Sequence, residues 1–266
     1  MNIDTCVKAI KESKKYGFIC EETIIRIVQN EIGKHKSEKD VIKSVKTKLH
    51  QITGAFVGED SIKQALRLLD TLNKHSVSDT IKKILALHIS SMERMRFIDE
   101  MYKDIFDITG NQCSILDVAC GFNPFCLPLF SKFIQKKYYA TDIYVKIIDL
   151  LNRFFDLADV NGCAFANDVL YKTPDVQVQN VFLFKIIPLL EQQQKGYSKI
   201  LVNQLNSEFF TITFPTKSLS EKNVGMYQFY DAFMKNCFTD NEFEYCLQKE
   251  YLNELLYIIK RRRQSG

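Results

Sequence analysis

Residues Ser114 to Pro128 read SILDVACGFNPFCLP and describe a buried strand that runs into a tight turn and then a helix. Ile115, Leu116 and Val118 supply the apolar side chains of the strand. Gly121 has no Cβ, so the backbone of the turn can approach a ligand closely. A strand, turn and helix of this kind opens many nucleotide-binding α/β domains, whose ligands lie at the carboxyl end of the first strand. The segment therefore predicts a ligand site at this turn.

The residues after the turn favour a cofactor that lacks a pyrophosphate. The loop has no second or third glycine at dinucleotide-binding spacing, and Asn123 and Pro124 stand where such a loop needs backbone freedom. A second strand-like run, KYYATD, ends at Asp142, whose carboxylate can accept hydrogen bonds from ribose hydroxyls. Together these features predict a site for S-adenosylmethionine.

The chain divides near residue 110 into two regions of different pattern. Residues 1–109 show repeated helical periodicity without a convincing strand, and all five prolines follow them. Apolar strands then alternate with helices, which indicates right-handed crossovers and a mainly parallel sheet. The fold class is therefore α/β with a helical N-terminal region. We predict strands near 114–119, 137–142, 162–167, 180–185 and 209–214, and a C-terminal hairpin near 242–261.

The net charge alone does not identify a nucleic-acid-binding protein, but its distribution is informative. The chain has 36 basic and 32 acidic side chains, which leaves a formal net charge of +4. Residues 1–50 hold 11 Lys or Arg against 7 Asp or Glu, so the net charge of this fifth of the chain equals that of the whole chain. We therefore expect a basic face on the N-terminal region.

The cysteines and the apolar runs bear on the compartment. The eight cysteines form no CxxC pair and have no clustered His partners, so we expect no metal site and reduced thiols in a cytoplasmic protein. No apolar run approaches the ~20 residues that cross a bilayer. The opening MNIDTCVKAIKESKK lacks a signal-peptide core, so we expect neither membrane association nor export.

One N-terminal helix has readable start and face signals. Ser37 with Asp40 predicts a capping box. Lysines then fall on one side of the helix, where a solvated face and phosphate contact are both open: Lys39, Lys43 and Lys46. The apolar positions recur at helical spacing and should face a core: Val41, Ile42, Val45, Leu49 and Ile52.

Six segments resemble the aminoglycoside-resistance methyltransferases that modify N7 of a guanine in the decoding site of bacterial 16S ribosomal RNA. They recur in order along the chain: KTKLHQITGAF at 46–56, LHISSMERM at 87–95, ILDVACGFNPF at 115–125, VFLFKIIPLLEQQ at 181–193, ITFPTKSLS at 212–220 and GM at 225–226. The resemblance implies a class I S-adenosylmethionine-dependent methyltransferase domain at 110–266. This fold is Rossmann-like, with a C-terminal antiparallel hairpin added to the parallel sheet. The helical region at 1–109 is then expected to dock on ribosomal RNA.

The resemblance also implies an activity and a partner. The chain is expected to methylate N7 of a decoding-site guanine within the 30S subunit, to act as a monomer and to confer aminoglycoside resistance. Because N7 carries no proton, the reaction needs alignment more than base catalysis, so we assign no general base. Two alternatives stay open: a methyltransferase that acts on another RNA nucleotide, and a non-catalytic RNA-binding relative.

Nine residues are candidates for contact with the cofactor. On the resemblance, Arg94 pairs with the carboxylate of the cofactor's amino acid end, although an exposed helix arginine is the alternative. Asp117 is a candidate either for the cofactor's amino group or for ordering the turn, and Asp142 is expected on the ribose. The full set is Arg94, Asp117, Ala119, Gly121, Asp142, Asn167, Asp168, Lys185 and Gln192.

The later members of this set follow strands three and four. Asn167 and Asp168 could reach the adenine edge or cap a helix. Lys185 follows the fourth strand, where it could position the cofactor or an RNA phosphate. Because an unperturbed lysine is protonated near neutral pH, we do not expect Lys185 to accept a proton. Gln192 lies at least one helical turn further on.

Four residues are candidates for contact with RNA: Lys43, Lys46, Lys48 and Ser218. The hydroxyl of Ser218, at the end of the fifth strand, could contact the target base or make ordinary loop hydrogen bonds. Phe122 and Phe125 beside the turn could stack on a displaced guanine or could be packing residues.

Two positions depart from the family pattern. Ala119 stands where the family usually has a glycine before the Cys-Gly of the turn, and we expect its methyl group to be tolerated if its φ stays negative. Glu221 stands where a glycine usually follows SLS, and it brings a negative charge near the expected RNA.

Overall fold

A helical region precedes a seven-stranded sheet in this computed structural model, which describes residues 1–53, 58–72, 77–111, 113–130, 137–216 and 226–262. Before the first strand, the described residues form α1 (Ile3–Lys11), α2 (Glu21–Ile32), α3 (Glu38–Thr53), α4 (Glu59–Asp70), α5 (Val77–Leu85), α6 (Ile89–Arg94) and α7 (Ile98–Thr109).

Helix α3 follows its sequence signals closely. The Ser37 hydroxyl oxygen accepts a hydrogen bond from the Asp40 amide at 3.2 Å, as an N-cap should. The return half of the box differs, because the Asp40 carboxylate accepts from the Ser37 hydroxyl at 2.6 Å. The predicted apolar stripe is confirmed, since Val41, Val45 and Leu49 are fully buried against α1 and α2.

The sheet has the order β3-β2-β1-β4-β5-β7-β6. Strands β1 to β5 are parallel, whereas β7 runs antiparallel between β5 and β6. This arrangement confirms the predicted α/β class and the C-terminal hairpin. The strands are β1 (Ile115–Val118), β2 (Tyr138–Asp142), β3 (Gly162–Ala166), β4 (Gln177–Phe184), β5 (Asn206–Pro215), β6 (Phe243–Tyr251) and β7 (Glu254–Arg261).

The segment after the first turn is a 3₁₀ helix, Asn123–Phe130, rather than an α-helix. Pro124 and Pro128 lack amide hydrogens, and Pro128 lies inside the helix, so an uninterrupted α-helical hydrogen-bond ladder cannot form. The remaining helices are α8 (Val145–Leu157), α9 (Ile187–Gln193), α10 (Tyr197–Gln204) and α11 (Met226–Cys237).

Apolar side chains cover both faces of the sheet. Tyr102 and Phe154 belong to the core on one face, and Leu201 and Tyr257 belong to the core on the other. Helices α1 to α3 enclose a third, smaller core. No described helix is long and apolar enough to cross a bilayer.

The third core is tied to the sheet region by backbone pairing. Ile19 forms an isolated antiparallel bridge with Tyr144, just after β2. The Cys20 amide donates to the Ile143 carbonyl at 2.8 Å, and the Val145 amide donates to the Phe18 carbonyl at 2.9 Å. The N-terminal segment thereby fixes the loop that follows Asp142.

Candidate active site

A pocket opens at the carboxyl ends of β1, β2, β3 and β4, where parallel α/β sheets bind ligands. Its wall also includes side chains from the helices that precede the sheet. The predicted residues that line it are Arg94, Ala119, Gly121, Asp142, Asn167, Asp168 and Lys185. The sequence therefore located most of one shared site.

The turn after β1 uses two residues in the left-handed region. Gly121 has a φ of +51°, and a Cβ there would lie 3.1 Å from the His88 ring. Ala119 has a φ of +53°. The condition under which the methyl group is expected to be tolerated, a negative φ, is therefore not met: the turn imposes a conformation that disfavours residues with a Cβ.

Asp142 holds this turn with its own side chain. One carboxylate oxygen accepts a hydrogen bond from the Gly121 amide at 3.0 Å, and the other accepts from the Tyr144 amide at 3.0 Å. A carboxylate has about four lone-pair positions, so it keeps capacity for ligand hydroxyls. Burial raises the pKa of Asp142 above its ordinary value, although these amides partly offset the effect.

The end of the pocket beside β3 carries hydrogen-bond acceptors. Asn167 Oδ1 is buried and has no hydrogen-bond partner within the described part of the chain. Asp168 is buried as well, and its carboxylate accepts from the Leu170 amide at 2.9 Å and from the Arg26 guanidinium at 2.8 Å. Arg26 belongs to α2, and its role was missed because its partner lies 142 positions away in the sequence.

Gln193, and not the predicted Gln192, lines the pocket from α9. Successive helical residues are rotated by about 100°, so one position of error changes the face. Both glutamines are exposed, but Gln193 accepts a hydrogen bond from Arg26 Nη2 at 3.0 Å. The prediction of Gln192 is corrected accordingly.

A buried charge cluster forms the opposite end of the pocket. Arg94 is only 2% exposed, so the alternative of an exposed helix arginine is wrong. Its Nη2 donates to Glu254 Oε1 at 2.8 Å, and Nη1 donates to Asn123 at 3.1 Å. Lys185 Nζ lies 3.3 Å from Glu254 and 3.0 Å from Glu93.

Glu254, at the start of β7, is the acid shared by Arg94 and Lys185. It is fully buried, which by itself disfavours the charged carboxylate, but the two cations hold its pKa below the ordinary value. The cluster therefore fixes a guanidinium at the pocket wall with donor hydrogens left over for a ligand, since Arg has five. Sequence patterns gave no sign of Glu254, because its partners lie on distant elements.

Asp117 does not line the pocket. Its Oδ2 accepts hydrogen bonds from Asn123 at 2.8 Å and from the Tyr138 hydroxyl at 2.6 Å. Strand side chains alternate between faces, and this one points beneath the turn. Asp117 therefore orders the turn through Asn123, and the direct cofactor role is not supported. Burial raises its pKa to about 6.

His88 was not singled out, although it lies within the segment LHISSMERM. Its Nδ1 accepts a hydrogen bond from the Ser91 amide at 3.3 Å and caps α6, and its ring stacks on Phe122. Burial lowers its pKa to about 4, and the charges of Arg94 and Lys185 add to the effect. The ring is therefore neutral at pH 7, and the hydrogen bond that Nδ1 accepts assigns the proton to Nε2. His88 lines the pocket.

Phe122 and Phe125 are fully buried, which supports the alternative that they are packing residues and not a stack for a displaced guanine. They pack against each other and against His88 and Phe154. These aromatic side chains belong to the core because the turn and the 3₁₀ helix that follows it are buried along most of their length.

The three lysines predicted to contact RNA lie outside the pocket. Lys43 is exposed and Lys46 half-buried on α3, and Lys48 lies 3.5 Å from the buried Glu31. Burial opposes ionisation of Glu31, but hydrogen bonds from Ser44 and neighbouring cations bring its pKa to about 2. The predictions at Ser218 and Glu221 lie outside the described residues.

The cysteines carry no sign of a second chemistry. All eight are free thiols, and the described ranges contain no group of His, Cys, Asp and Glu that could hold a metal. Burial raises the pKa of the Cys120 and Cys126 thiols near the turn, which keeps them protonated.

The lining of the pocket fits a molecule with three kinds of polar group. Asn167 and Asp168 offer acceptors for an exocyclic amine, Asp142 offers a carboxylate for hydroxyls, and Arg94 offers donors for a carboxylate. Because a Cβ at Gly121 would crowd the His88 ring, only backbone atoms can form the pocket wall at this position. A purine nucleoside with an amino acid tail carries these groups.

The chain is similar to ribosomal RNA methyltransferases along nearly its whole length. A family model described as "Ribosomal RNA methyltransferase (FmrO)" matches residues 12–258. A Serratia marcescens protein named 16S rRNA (guanine(1405)-N(7))-methyltransferase is 35% identical, over 98% of this chain and 99% of that protein. The crystal structure of 16S rRNA methyltransferase RmtF with S-adenosyl-L-homocysteine has a TM-score of 0.87 and 28% identity, over 98% of this chain and 100% of RmtF. The 16S rRNA methylase RmtB has a TM-score of 0.85 and 32% identity, over 98% of this chain and 99% of RmtB.

Proposed function

The chain belongs to the ribosomal RNA methyltransferase (FmrO) family, and from that premise we propose that it methylates N7 of guanine 1405 of 16S ribosomal RNA. The methyl donor is S-adenosylmethionine. The observation that carries the proposal is the pocket itself, in which Arg94, Gly121, Asp142 and Asn167 meet at the carboxyl edge of the sheet. The polar groups of this pocket match those of the donor along its length.

Each part of the donor has a proposed partner. Arg94 binds the carboxylate of the amino acid end, Asp142 binds the ribose hydroxyls, and Asn167 and Asp168 face the adenine amino group. When bound, S-adenosylmethionine supplies an electrophilic methyl group. Asp117 supports the turn from below through Asn123.

The residues have to align two reactants rather than move a proton. The lone pair of guanine N7 forms the new bond to the methyl carbon while the bond from that carbon to sulfur breaks. N7 carries no proton at the start, so no side chain has to accept one. Lys185, held between Glu93 and Glu254, fits a positioning role and not that of a base.

The proposed partner is 16S ribosomal RNA within the 30S subunit, which places the enzyme in the cytoplasm, and the enzyme acts there as a monomer. The region at 1–109 docks on the RNA through Lys43, Lys46 and Lys48, while 110–266 carries the sheet. Because N7 faces the deep, narrow major groove of A-form RNA, the guanine has to be displaced to reach the pocket.

Mapping of the modified nucleotide tests this function. Purified 30S subunits are incubated with the protein and labelled S-adenosylmethionine, and the RNA is then reduced and cleaved at N7-methylguanine. We expect one cleavage, at guanine 1405. A label without cleavage there would support the alternative of another target nucleotide.

Expression in a susceptible bacterium provides the second readout. N7 methylation removes an acceptor and adds a fixed positive charge, which repels polycationic aminoglycosides that bind this guanine edge. Antibiotics that bind elsewhere on the ribosome should retain activity, and an Asp142→Ala strain should regain susceptibility. Resistance that persists in that strain without methylation would support the non-catalytic RNA-binding alternative.

A further inference from the structure

Arg26 reaches the cofactor pocket from helix α2, far from the strands that form most of the site. Its Nε and Nη2 both lie 2.8 Å from Asp168 Oδ2. Nη2 also donates to Gln193 Oε1 at 3.0 Å, so the guanidinium joins the end of β3 to α9. The Arg26 and Asp168 side chains are only 16% and 4% exposed, so their ion pair is largely shielded from water, whereas the contact with Gln193 is exposed.

Asp168 depends on this arginine for its orientation. The residue is 4% exposed, and a buried carboxylate without a cationic partner is strongly unfavourable. Arg26 supplies the charge at Oδ2, and the Leu170 amide fixes Oδ1 at 2.9 Å. Because both carboxylate oxygens are held, the orientation of the Asp168 carboxylate is fixed.

The same end of the pocket holds a second acceptor that lacks a donor. Asn167 Oδ1 is buried without a hydrogen-bond partner among the residues that the structure describes. A ligand that enters here therefore has to bring donor hydrogens to meet Asn167 and Asp168. The only hydrogen-bond donor on the adenine base of the proposed cofactor is its exocyclic amino group.

We infer that Arg26 is a positioning residue for adenine specificity: it holds Asp168 so that the carboxylate accepts from the amino group and rejects a purine with oxygen at that position. This inference rests on the proposed function, because it assumes an adenine-containing cofactor. It adds a residue of the N-terminal helical region to the recognition of that cofactor. An oxygen at the amino position would face the carboxylate acceptor to acceptor.

The test compares two ligands by isothermal titration. S-adenosylhomocysteine carries the amino group, and S-inosylhomocysteine carries oxygen in its place. We expect the wild type to prefer the amino form by about tenfold or more. In Arg26→Gln the preference should fall below about threefold, because Asp168 is no longer held in place. Arg26→Lys should be intermediate, since lysine retains the charge but not the planar fork.

Two controls separate positioning from general damage. Arg153→Gln removes an exposed guanidinium from its ion pair with Asp70, away from the pocket, and should leave the preference unchanged. Asp168→Asn should lower the preference as Arg26→Gln does, and the double variant should lower it no further, because the two residues act as one unit. Thermal unfolding of each variant checks that the fold is retained.

The outcomes distinguish this inference from the proposed function. If Arg26→Gln weakens both ligands equally and keeps the full preference, Arg26 is only a structural contact and the inference is wrong. A wild type that binds both ligands equally well would also overturn it. A wild type that binds neither ligand would overturn the proposed function, and the inference with it.

Discussion

The carboxylate of Asp142 accepts a hydrogen bond from the amide of Gly121 at 3.0 Å. The sequence predicts the two residues separately as ligand contacts, one at the end of β2 and one after β1. Their hydrogen bond joins adjacent parallel strands at the point where the pocket opens. Asp142 therefore shapes the turn as well as offering an acceptor to the ribose.

Replacement of Asp142 should weaken cofactor binding by two routes. Asp142→Ala removes the ribose acceptor and releases the Gly121 amide, so affinity for S-adenosylmethionine should fall by about tenfold or more. Asp142→Asn keeps one acceptor oxygen for that amide and should lose less. Isothermal titration measures both, with Arg94→Ala in parallel. Unchanged binding in both alanine variants would refute the assigned pocket.

Removal of Glu254 should destabilise the fold strongly. Its carboxylate is fully buried between Arg94 and Lys185, so Glu254→Ala leaves uncompensated cations in the interior. The expected loss is about 3–5 kcal/mol in the free energy of unfolding, measured with urea. Glu208→Ala breaks a half-exposed pair with Lys260 and should cost at most about 1 kcal/mol. Equal losses in the two variants would contradict the buried cluster.

His88 should make stability depend on pH between about 6.5 and 4. Its pKa is lowered from 6.5 to about 4, so above this range His88 is neutral in the folded and in the unfolded chain. Within it the unfolded chain takes up the proton first, and the free energy of unfolding falls as pH falls, by at most about 1.4 kcal/mol per unit. His88→Asn keeps a side-chain acceptor for the Ser91 amide and should remove this contribution.

The measurement is the difference between wild type and His88→Asn in urea unfolding from pH 7.5 to 4.5. The difference is needed because Asp117 acts in the opposite direction. Its pKa is raised to about 6, so the folded state takes up that proton first and gains stability as pH falls from about 6 to 3.8. A difference that does not change with pH would show that His88 is not buried as a neutral ring.

Ala119→Gly should stabilise the protein. The φ of +53° places the alanine Cβ in unfavourable contact, and glycine adopts this conformation freely. We expect a gain of about 0.5–1 kcal/mol in the free energy of unfolding after the larger entropy of the unfolded glycine chain is included. Ala158→Gly is the control, because Ala158 has a φ of −97° and should only lose stability. Losses in both variants would contradict strain at Ala119.

The lysines of α3 should govern the salt dependence of 30S binding. Phosphate contacts release counterions, so replacement of Lys43, Lys46 and Lys48 by Glu should weaken binding and flatten its dependence on salt concentration. Lys43→Glu alone should have more effect than Lys48→Glu, because Lys48 already lies 3.5 Å from Glu31. Cofactor affinity should stay near that of the wild type.

A second triple variant controls for the change in net charge. Lys103 and Lys235 are exposed and Lys260 is half-buried; all three lie outside α3 and pair with neighbouring acids. Their replacement by Glu should change 30S binding less. Filter binding over a range of salt concentrations measures all variants. If the α3 variant bound as strongly as the wild type, another surface would dock the subunit.

The sheet was predictable because its signals are local. In the segments ILDVACG and KYYATD, the apolar strand, the turn that follows it and the predicted ligand contact lie within a few residues of each other. Because the carboxyl ends of parallel strands lie at one edge of the sheet, residues at the ends of different strands are predicted to share one site. Asp142 and Asn167 were found on this basis, and both line the pocket.

The remaining site residues depend on contacts between distant segments. Arg26 reaches Asp168 across 142 positions, and Glu254 reaches Arg94 across 160. No periodicity in the sequence indicates hydrogen bonds between residues this far apart. Helical register accounts for the error at Gln192, and the backbone torsion at Ala119 could not be predicted either, because neither is fixed by residue type alone.

The bridge between Ile19 and Tyr144 has a consequence for synthesis of the chain. During translation Ile19 leaves the ribosome about 125 residues before its partner, which at roughly 5–20 residues per second is a delay of roughly 6–25 s. For that interval the Phe18 carbonyl and the Cys20 amide lack their partners Val145 and Ile143. The loop after Asp142 is therefore completed late, and nascent chains that stall before Tyr144 should show this N-terminal segment as open to proteolysis.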